Sequence, residues 1–413
     1  MRVFEPWMVS SLALGAGFTG FVALTIPPYV TKATGEAGAA GIVLAVISLS
    51  AAIGPVLGAL ADRYRAHRLV LCSGLLGMAV AFAAYGLSAQ DESVFALYAI
   101  LMGASGAALA AVMPVFVVGA GLPPVLVAKR LTAMHVMEGA GLMIGGALMG
   151  FATKSGWSFA QRFWLAAGFL AICFLTVLGT SAKPARRLRL HTAVQAVDDH
   201  AVREGRLRTV FLSVFGLFLM VRVLVAASTS AVTGQIANIM PGVFMVSPVG
   251  TDTAVAVAGL MGIGVNLAAG ALVARRGGVE AYLAGAGVRL VGGLSLALAG
   301  TFVPEKTALC LLAMQITYMA TPIMRLSASS VGARFATVPV GQANGWLISG
   351  SSIGAFLGNL TAGALAQAVG YNAINWFSVV AITAAGVLLV FGLMPAELCK
   401  RRAEALAPSA PDT

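Results

Sequence analysis

The chain has 413 residues, of which 59% are hydrophobic and only 10% charged, and its mean hydropathy is +0.93. Soluble domains carry about a quarter charged residues, so this composition excludes an ordinary soluble protein. The net charge of +11 would suit a nucleic-acid partner, but the basic residues lie in short loops between apolar segments, which favours a role in membrane orientation instead. No phosphate-binding glycine loop, nucleophile–base pair or metal-ligand spacing is present, so no enzymatic activity, cofactor or bound metal is predicted.

Most of the sequence falls into apolar segments of about 20 or more residues, the length that a helix needs to cross a bilayer. They do not alternate polar and apolar residues as barrel strands do, so they predict an all-α integral membrane protein in a lipid bilayer. Twelve spans are predicted, at residues 8–31, 38–61, 68–88, 94–120, 128–152, 160–181, 209–239, 252–274, 280–302, 307–333, 340–368 and 372–395.

The positions of lysine and arginine predict the side of the membrane on which each loop lies. With twelve spans, 19 of the 26 basic residues fall in loops and terminal segments on one side, and four fall on the other. The richer side is expected to be cytoplasmic. Both termini are therefore predicted to be cytoplasmic, in a bacterial-type inner membrane or a membrane derived from it.

The longest basic connection, residues 182–208, separates six predicted spans from the next six and is predicted to be a cytoplasmic linker. It divides the chain into a six-helix bundle at residues 1–181 and a second one at residues 209–395. Residues 396–413 end in a proline-containing polar stretch and are predicted to be a disordered cytoplasmic tail.

Several features of the first half recur in the second. Pro114 matches Pro322, and the pair Gly141 and Gly145 matches Gly350 and Gly354, at nearly the same separation along the chain. Parallel repeats of six helices build a cavity between two halves in one large class of transporters.

The loop between the second and third spans reads Gly58-Ala-Leu-Ala-Asp62-Arg63, and a degenerate copy, Gly270-Ala-Leu-Val-Ala274-Arg275, follows the eighth span. This motif resembles the Gly-x-Leu-Ala-Asp-Arg-x-Gly-Arg pattern of the major facilitator superfamily, and the resemblance covers essentially the whole chain. Arg65 replaces the second glycine of the pattern, and Arg68 supplies a base nearby.

The resemblance implies two pseudo-symmetric six-helix bundles, secondary transport by alternating access, and a conformational gate at this loop. The gate residues that it implies are Gly58, Asp62, Arg63, Arg65, Arg68 and, in the second copy, Arg275. The alternative is that the arginines only set the topology. Ala99 stands where many proton-coupled drug exporters of the family have an arginine, and Gly145-Gly146 replaces the Gly-Pro pair of antiporters, which weakens a drug/proton antiport interpretation.

Ionisable residues deep in membrane spans are costly and are therefore functional candidates. Gln315, Tyr318 and Arg325 share one face of the tenth span, as do Arg222 and Thr229 in the seventh. The resemblance implies that spans one, four, seven and ten line a central cavity, so these five residues are predicted to line the substrate path. Two arginines beside hydroxyl and amide groups suit a carboxylate or phosphate, although each arginine could instead pair with an acid or a carbonyl.

His135 and Glu138 are three residues apart on the fifth span and are therefore neighbours on one face. The pair could carry protons, since imidazole titrates near neutral pH. Alternatively, Glu138 could form an ion pair between the two halves, with Arg222 or Arg325. The resemblance implies that Arg289, in the ninth span, is peripheral, where it could reach the interface or pair with Glu280.

The leading hypothesis is a secondary active transporter that moves a small, anionic solute, with proton coupling through His135 and Glu138 as an option. Three alternatives stay open. They are efflux of apolar or cationic compounds with the arginines neutralised by Glu138, transport of a metal or a metal chelate, and a transport-inactive membrane scaffold or accessory protein, which the degenerate second loop would permit.

Overall fold

A computed structural model describes residues 3–88, 94–195, 212–336 and 340–406, and helices make up nearly all of this part of the chain. The first half consists of α1 (Pro6–Thr34), α2 (Ala37–Arg63), α3 (His67–Leu87), α4 (Phe95–Val118), α5 (Pro124–Lys154) and α6 (Phe159–Thr180). A further helix, α7 (Ala182–Gln195), follows it.

The second half begins with α8 (Val214–Gly234), the short α9 (Ile236–Phe244) and α10 (Pro248–Arg276). It continues with α11 (Gly278–Phe302), α12 (Thr307–Phe335), α13 (Val340–Ala368) and α14 (Asn372–Leu388). A wide helical turn, Leu389–Leu393, joins α14 to α15 (Met394–Leu406).

Eleven of the described helical segments are long and apolar enough to cross a membrane. The helix α13 has 29 residues but is less apolar, because serine, asparagine and glutamine interrupt its apolar sequence. Each of the twelve predicted spans coincides with a helix, and the prediction of an all-α membrane fold is confirmed.

Two connections differ from the simplest expectation. The first part of the predicted linker is the helix α7, and its remaining residues, 196–208, lie outside the described residues. The prediction of a disordered tail from residue 396 was wrong for its first part, because α15 continues to Leu406; residues 407–413 lie outside the described residues. Glu397 stabilises this helix by accepting hydrogen bonds from Arg334 at 2.6 Å and from Arg401 at 2.7 Å.

The two halves pack through two helix pairs, α5 with α10 and α2 with α13. Glycine permits the close approach in both. A Cβ atom added at Gly146 would lie 2.6 Å from the backbone nitrogen of Ala256, and one added at Gly41 would lie 2.7 Å from the carbonyl oxygen of Asn359. Larger residues at these two positions would separate the halves.

The molecule has two distinct ends. We call the end that carries the loop from Asp62 to His67 the basic end, and the opposite end the far end. One buried apolar cluster runs along the first half and crosses into the second half toward the far end, through residues such as Leu44 of α2, Ile239 of α9 and Ala362 of α13. Toward the basic end, the second buried cluster of the described residues belongs to the second half alone. The far end is therefore closed by a shared core.

Candidate functional site

A cavity of about 300 Å³ lies between the halves and is lined by side chains of α1, α2 and α5 and of α8, α10, α12 and α13. Its wall is mixed, and apolar surface alternates with hydroxyl groups from Thr19, Ser48, Thr229, Ser230, Thr233 and Thr321. At this level α1 widens into a π-helical segment, Gly15–Val22, which contains the lining residues Phe18 and Thr19. Such widened turns are frequent at functional sites.

The charged centre of the cavity is an ion pair between Arg325 of α12 and Glu138 of α5. It joins the two halves, whereas the other ion pairs between described residues stay within one half or join it to α7. The side chain of Arg325 is 46% exposed and that of Glu138 is 16% exposed. The pair therefore has one accessible cation and one largely covered acid.

Glycines place Glu138 in this position. A Cβ atom at Gly15 of α1 would collide with the carbonyl oxygen of Glu138, so only glycine lets α1 lie against α5 here. On the other side of α5, a Cβ atom at Gly259 of α10 would lie 2.9 Å from the carbonyl oxygen of Gly139. The acid is covered because helices from both halves press against its backbone.

His135 lies one turn before Glu138, with its Nδ1 atom 3.6 Å from the second carboxylate oxygen. Its side chain is 28% exposed and lines the cavity. The amide of Asn266 in α10 donates a hydrogen bond of 3.3 Å to the carbonyl oxygen of His135. An imidazole therefore lines the cavity beside the acid of the ion pair, on a backbone that the second half helps to hold.

Of the five residues predicted to line the cavity, Thr229, Tyr318 and Arg325 do so. Arg222 is directed away from it and donates a hydrogen bond to the hydroxyl group of Ser351 in α13, and Gln315 donates one of 2.8 Å to the carbonyl oxygen of Ala254 in α10. Neither is among the residues that line the cavity of this conformation. Helical spacing placed these residues on a common side of each helix but could not say which neighbouring helix they would meet.

The expectation for Arg289 was wrong. Its side chain is fully buried and donates hydrogen bonds to the carbonyl oxygens of Ser228, at 2.8 Å, and Thr317, at 3.3 Å. Glu280 pairs instead with Arg401 of α15. The partners of Arg289 are thus carbonyl oxygens inside the second half, and not the acid or the membrane interface that the sequence suggested.

The predicted gate residues stay within their own halves in this conformation. Asp62 is 64% exposed and lies 2.7 Å from Nε2 of His67, and Arg68 donates a hydrogen bond of 2.8 Å to the carbonyl oxygen of Leu178. Gly58 lies in α2, and Arg63, Arg65 and Arg275 are exposed. Arg65 adopts a positive φ of 51° at the position where the family pattern has glycine.

Two contacts between the halves were missed by the sequence analysis. The hydroxyl group of Thr153 in α5 donates a hydrogen bond of 2.6 Å to the buried carboxylate of Asp252 in α10. The amide of Asn359 in α13 donates one of 3.0 Å to the hydroxyl group of Ser48 in α2. An acid near the start of a membrane helix was the available signal for Asp252, which the predicted span boundary had placed at the membrane edge.

Comparison with known proteins agrees with this architecture. The family model described as Major Facilitator Superfamily matches residues 8–338. A comparison with curated protein sequences gave no match.

Solved structures of similar fold include the nucleoside transporter NupG, with a TM-score of 0.66 and 14% identity over 96% of this chain and 99% of that one. They also include the human organic anion transporter MFSD10, with a TM-score of 0.63 and 17% identity over 93% and 98%. The xylose transporter XylE of E. coli, in a partially occluded inward-open conformation, has a TM-score of 0.69 and 14% identity over 94% and 96%.

Proposed function

This chain belongs to the major facilitator superfamily, and we propose that it moves a small anionic solute across its membrane by alternating access, as a secondary transporter coupled to protons. The observation that carries the proposal is the position of Arg325, a partly exposed cation in a cavity between the halves, paired with the one carboxylate that lines this cavity in the described part of the chain. A guanidinium group in such a place binds a carboxylate or phosphate through two parallel hydrogen bonds.

The ion pair also supplies a way to couple the solute to a proton. While Glu138 is ionised it occupies Arg325 and competes with an anionic solute. When a proton binds to Glu138, the charge of Arg325 is no longer neutralised, and an anion then binds there more strongly. His135 lies within 3.6 Å of the acid and lines the cavity, so it is placed to pass that proton between solvent and Glu138.

The two ends of the molecule supply the alternation. The far end is closed by a shared core and by hydrogen bonds between the halves, whereas the loop residues of the basic end bond within their own halves. We propose that this conformation opens toward the basic end and that the opposite conformation brings the gate residues Asp62 and Arg63 against the second half. The concentration of basic residues supports a cytoplasmic basic end, with both termini there, in a bacterial-type inner membrane or one derived from it.

The similar structures are named for nucleosides, an organic anion and xylose, which agrees with a small polar solute. The alternative of apolar or cationic efflux receives support from the neutralised Arg325, but the hydroxyl groups and amides of the lining oppose an apolar cargo. The anionic solute is therefore the proposal that accounts for both the cation and the hydroxyl groups of the wall.

Uptake into proteoliposomes tests the proposal, with a panel of labelled carboxylates and phosphate esters as probes. Replacement of Arg325 by Ala is expected to lower uptake of the transported probe by about 100-fold, because the anion loses its charged partner. Glu138→Gln is expected to keep probe binding and to remove the dependence of that binding on pH, because the competing charge is permanently absent. Unchanged uptake in Arg325→Ala would refute an anionic solute, and a retained pH dependence in Glu138→Gln would refute this coupling.

A further inference from the structure

Two buried hydroxyl groups of the cavity wall have no hydrogen-bond partner. They belong to Tyr318 and Thr321 of α12, and both residues line the cavity. Tyr318 is only 6% exposed. Buried polar atoms in proteins are almost always hydrogen-bonded. Two hydroxyl groups without partners beside a cavity therefore indicate that a ligand in the cavity supplies those partners.

These two residues lie on the same helix as the cation. Thr321 is four residues before Arg325 and Tyr318 is seven residues before it, so their Cα atoms are separated from that of Arg325 by about 6 Å and 10 Å along the helix axis. Three bonds of an extended chain span about 3.5 Å, so a chain of about six carbon atoms covers the axial separation between Arg325 and Thr321.

The wall of the cavity that α8 forms also carries hydroxyl groups. Thr229, Ser230 and Thr233 of α8 add three more hydroxyl groups to the lining. The hydroxyl group of Thr233 donates to the carbonyl oxygen of Thr229 at 2.9 Å, which leaves its oxygen free to accept. A solute between α8 and α12 therefore meets groups that both donate and accept hydrogen bonds.

On the premise of the proposed function, we propose that the transported solute is a short polyhydroxylated anion. Its carboxylate or phosphate group binds Arg325, and its hydroxyl groups pair with Tyr318 and Thr321. The cavity of about 300 Å³ is about ten times the share of a water molecule in the liquid, a volume that suits a molecule of this size. An anion without hydroxyl groups leaves the two buried hydroxyls unpaired, and a neutral polyol leaves the arginine without its anion.

Four probes separate these chemistries in a thermal-unfolding assay of the purified full-length chain. D-Gluconate is a hydroxylated carboxylate, D-sorbitol 6-phosphate a hydroxylated phosphate ester, hexanoate an unhydroxylated carboxylate and D-sorbitol a neutral polyol. We expect one of the two hydroxylated anions to stabilise the protein at a concentration about tenfold lower than hexanoate or sorbitol, because each neutral hydrogen bond changes affinity by about two- to tenfold. The better of the two identifies the charged group.

Two nearly isosteric variants, Tyr318→Phe and Thr321→Val, test the residues. Each is expected to raise the half-stabilising concentration of the hydroxylated anion about three- to tenfold and to leave that of hexanoate unchanged. The matched control is Tyr282→Phe, which removes a buried hydroxyl group of the same half that does not line the cavity. The unfolding midpoint without probe reports whether each variant folds.

The outcomes separate this inference from the proposed function. If hexanoate and the hydroxylated anions bind equally well, or the two variants leave their binding unchanged, the inference is overturned while anion transport stands. If sorbitol alone binds, both the proposal of an anionic solute and this inference are refuted. Stabilisation by none of the four probes also overturns it.

Discussion

The far end and the basic end of this protein are held together in opposite ways. At the far end the halves share one apolar core, and hydrogen bonds cross between them, such as the bond of 3.1 Å from Asn238 of α9 to Thr31 of α1. At the basic end the ion pairs of Asp62 with His67, Glu397 with Arg334 and Glu280 with Arg401 all stay inside one half. The halves still approach there, since a Cβ atom at Gly345 would lie 3.4 Å from Pro55.

The far end is therefore closed by packing between the halves, whereas the charged residues of the basic end can change partners. Glycine contacts between the halves at the far end leave no room for a side chain. In the proposed alternation these backbones must move apart when that end opens. Exposed charges at the basic end can exchange partners at low cost, because exposed ion pairs contribute only about 0 to 1 kcal/mol. Changing the packing at the far end should therefore have larger effects than changing the charges.

The largest effect is expected from locking the far end. In a chain whose native cysteines are replaced, Gly150→Cys with Asp252→Cys places two Cβ atoms 3.5 Å apart across the halves, within the range that a disulfide needs. Oxidation should abolish uptake, and a reductant should restore it, since the far end can no longer open. The control pair Gly77→Cys with Ser105→Cys has the same Cβ separation of 3.5 Å but joins α3 and α4 within the first half, and it should leave uptake intact. Uptake by the oxidised Gly150–Asp252 variant would disprove alternation at this end.

Substitution of Gly41 by alanine should weaken the packing at the far end, the opposite of the disulfide cross-link. Gly41→Ala places Cβ 2.7 Å from the carbonyl oxygen of Asn359, whereas Gly38→Ala, one turn earlier, meets Gln367 at an ordinary 3.7 Å. We expect Gly41→Ala to shift the conformational equilibrium about 10- to 100-fold away from the closed far end and to slow uptake, because overpacking costs about 1–3 kcal/mol. Thiol labelling of a cysteine placed at the far end measures the shift. Equal labelling of the two alanine variants would contradict the prediction.

Asp62→Asn should change transport more than stability. Its carboxylate is 64% exposed and pairs with His67 in the described part of the chain, so the free energy of unfolding should fall by less than about 1 kcal/mol. If Asp62 closes the basic end in the other conformation, uptake should fall about tenfold, which corresponds to the loss of about 1.4 kcal/mol from that conformation. His67→Gln, which removes the partner seen here and keeps the acid, is the matched variant. Normal uptake by Asp62→Asn would exclude a gate role.

Glu397→Gln should give the converse result, a modest loss of stability with little change in uptake. Its side chain is 3% exposed and accepts from two arginines of its own half, which are themselves 30% and 43% exposed. We expect a loss of about 2 kcal/mol, less than for a fully buried pair because the arginines regain water. Denaturant unfolding and initial uptake rates measure the two quantities. A loss of uptake at unchanged stability would show that this cluster takes part in gating.

Some features followed directly from the sequence. The run lengths of apolar residues determined the twelve helices, because a helix that crosses a bilayer needs a fixed number of apolar residues. The position of the motif around Asp62 indicated the family, and the spacing of His135 and Glu138 placed both on one helix face. An acid and an arginine within membrane spans also indicated that a pair such as Glu138 with Arg325 could form.

The partner of each polar group, in contrast, depends on the tertiary structure. Arg222 and Arg325 have similar surroundings in sequence, yet one meets Ser351 inside the second half and the other meets Glu138 across the cavity. Arg289 donates to carbonyl oxygens and Glu280 pairs with Arg401, although the sequence had offered a pair between Arg289 and Glu280 as one of two options. Helical periodicity gives the direction of a side chain about its own axis, but the partner depends on which helix packs there and how closely, and glycine contacts between distant parts of the chain set that distance.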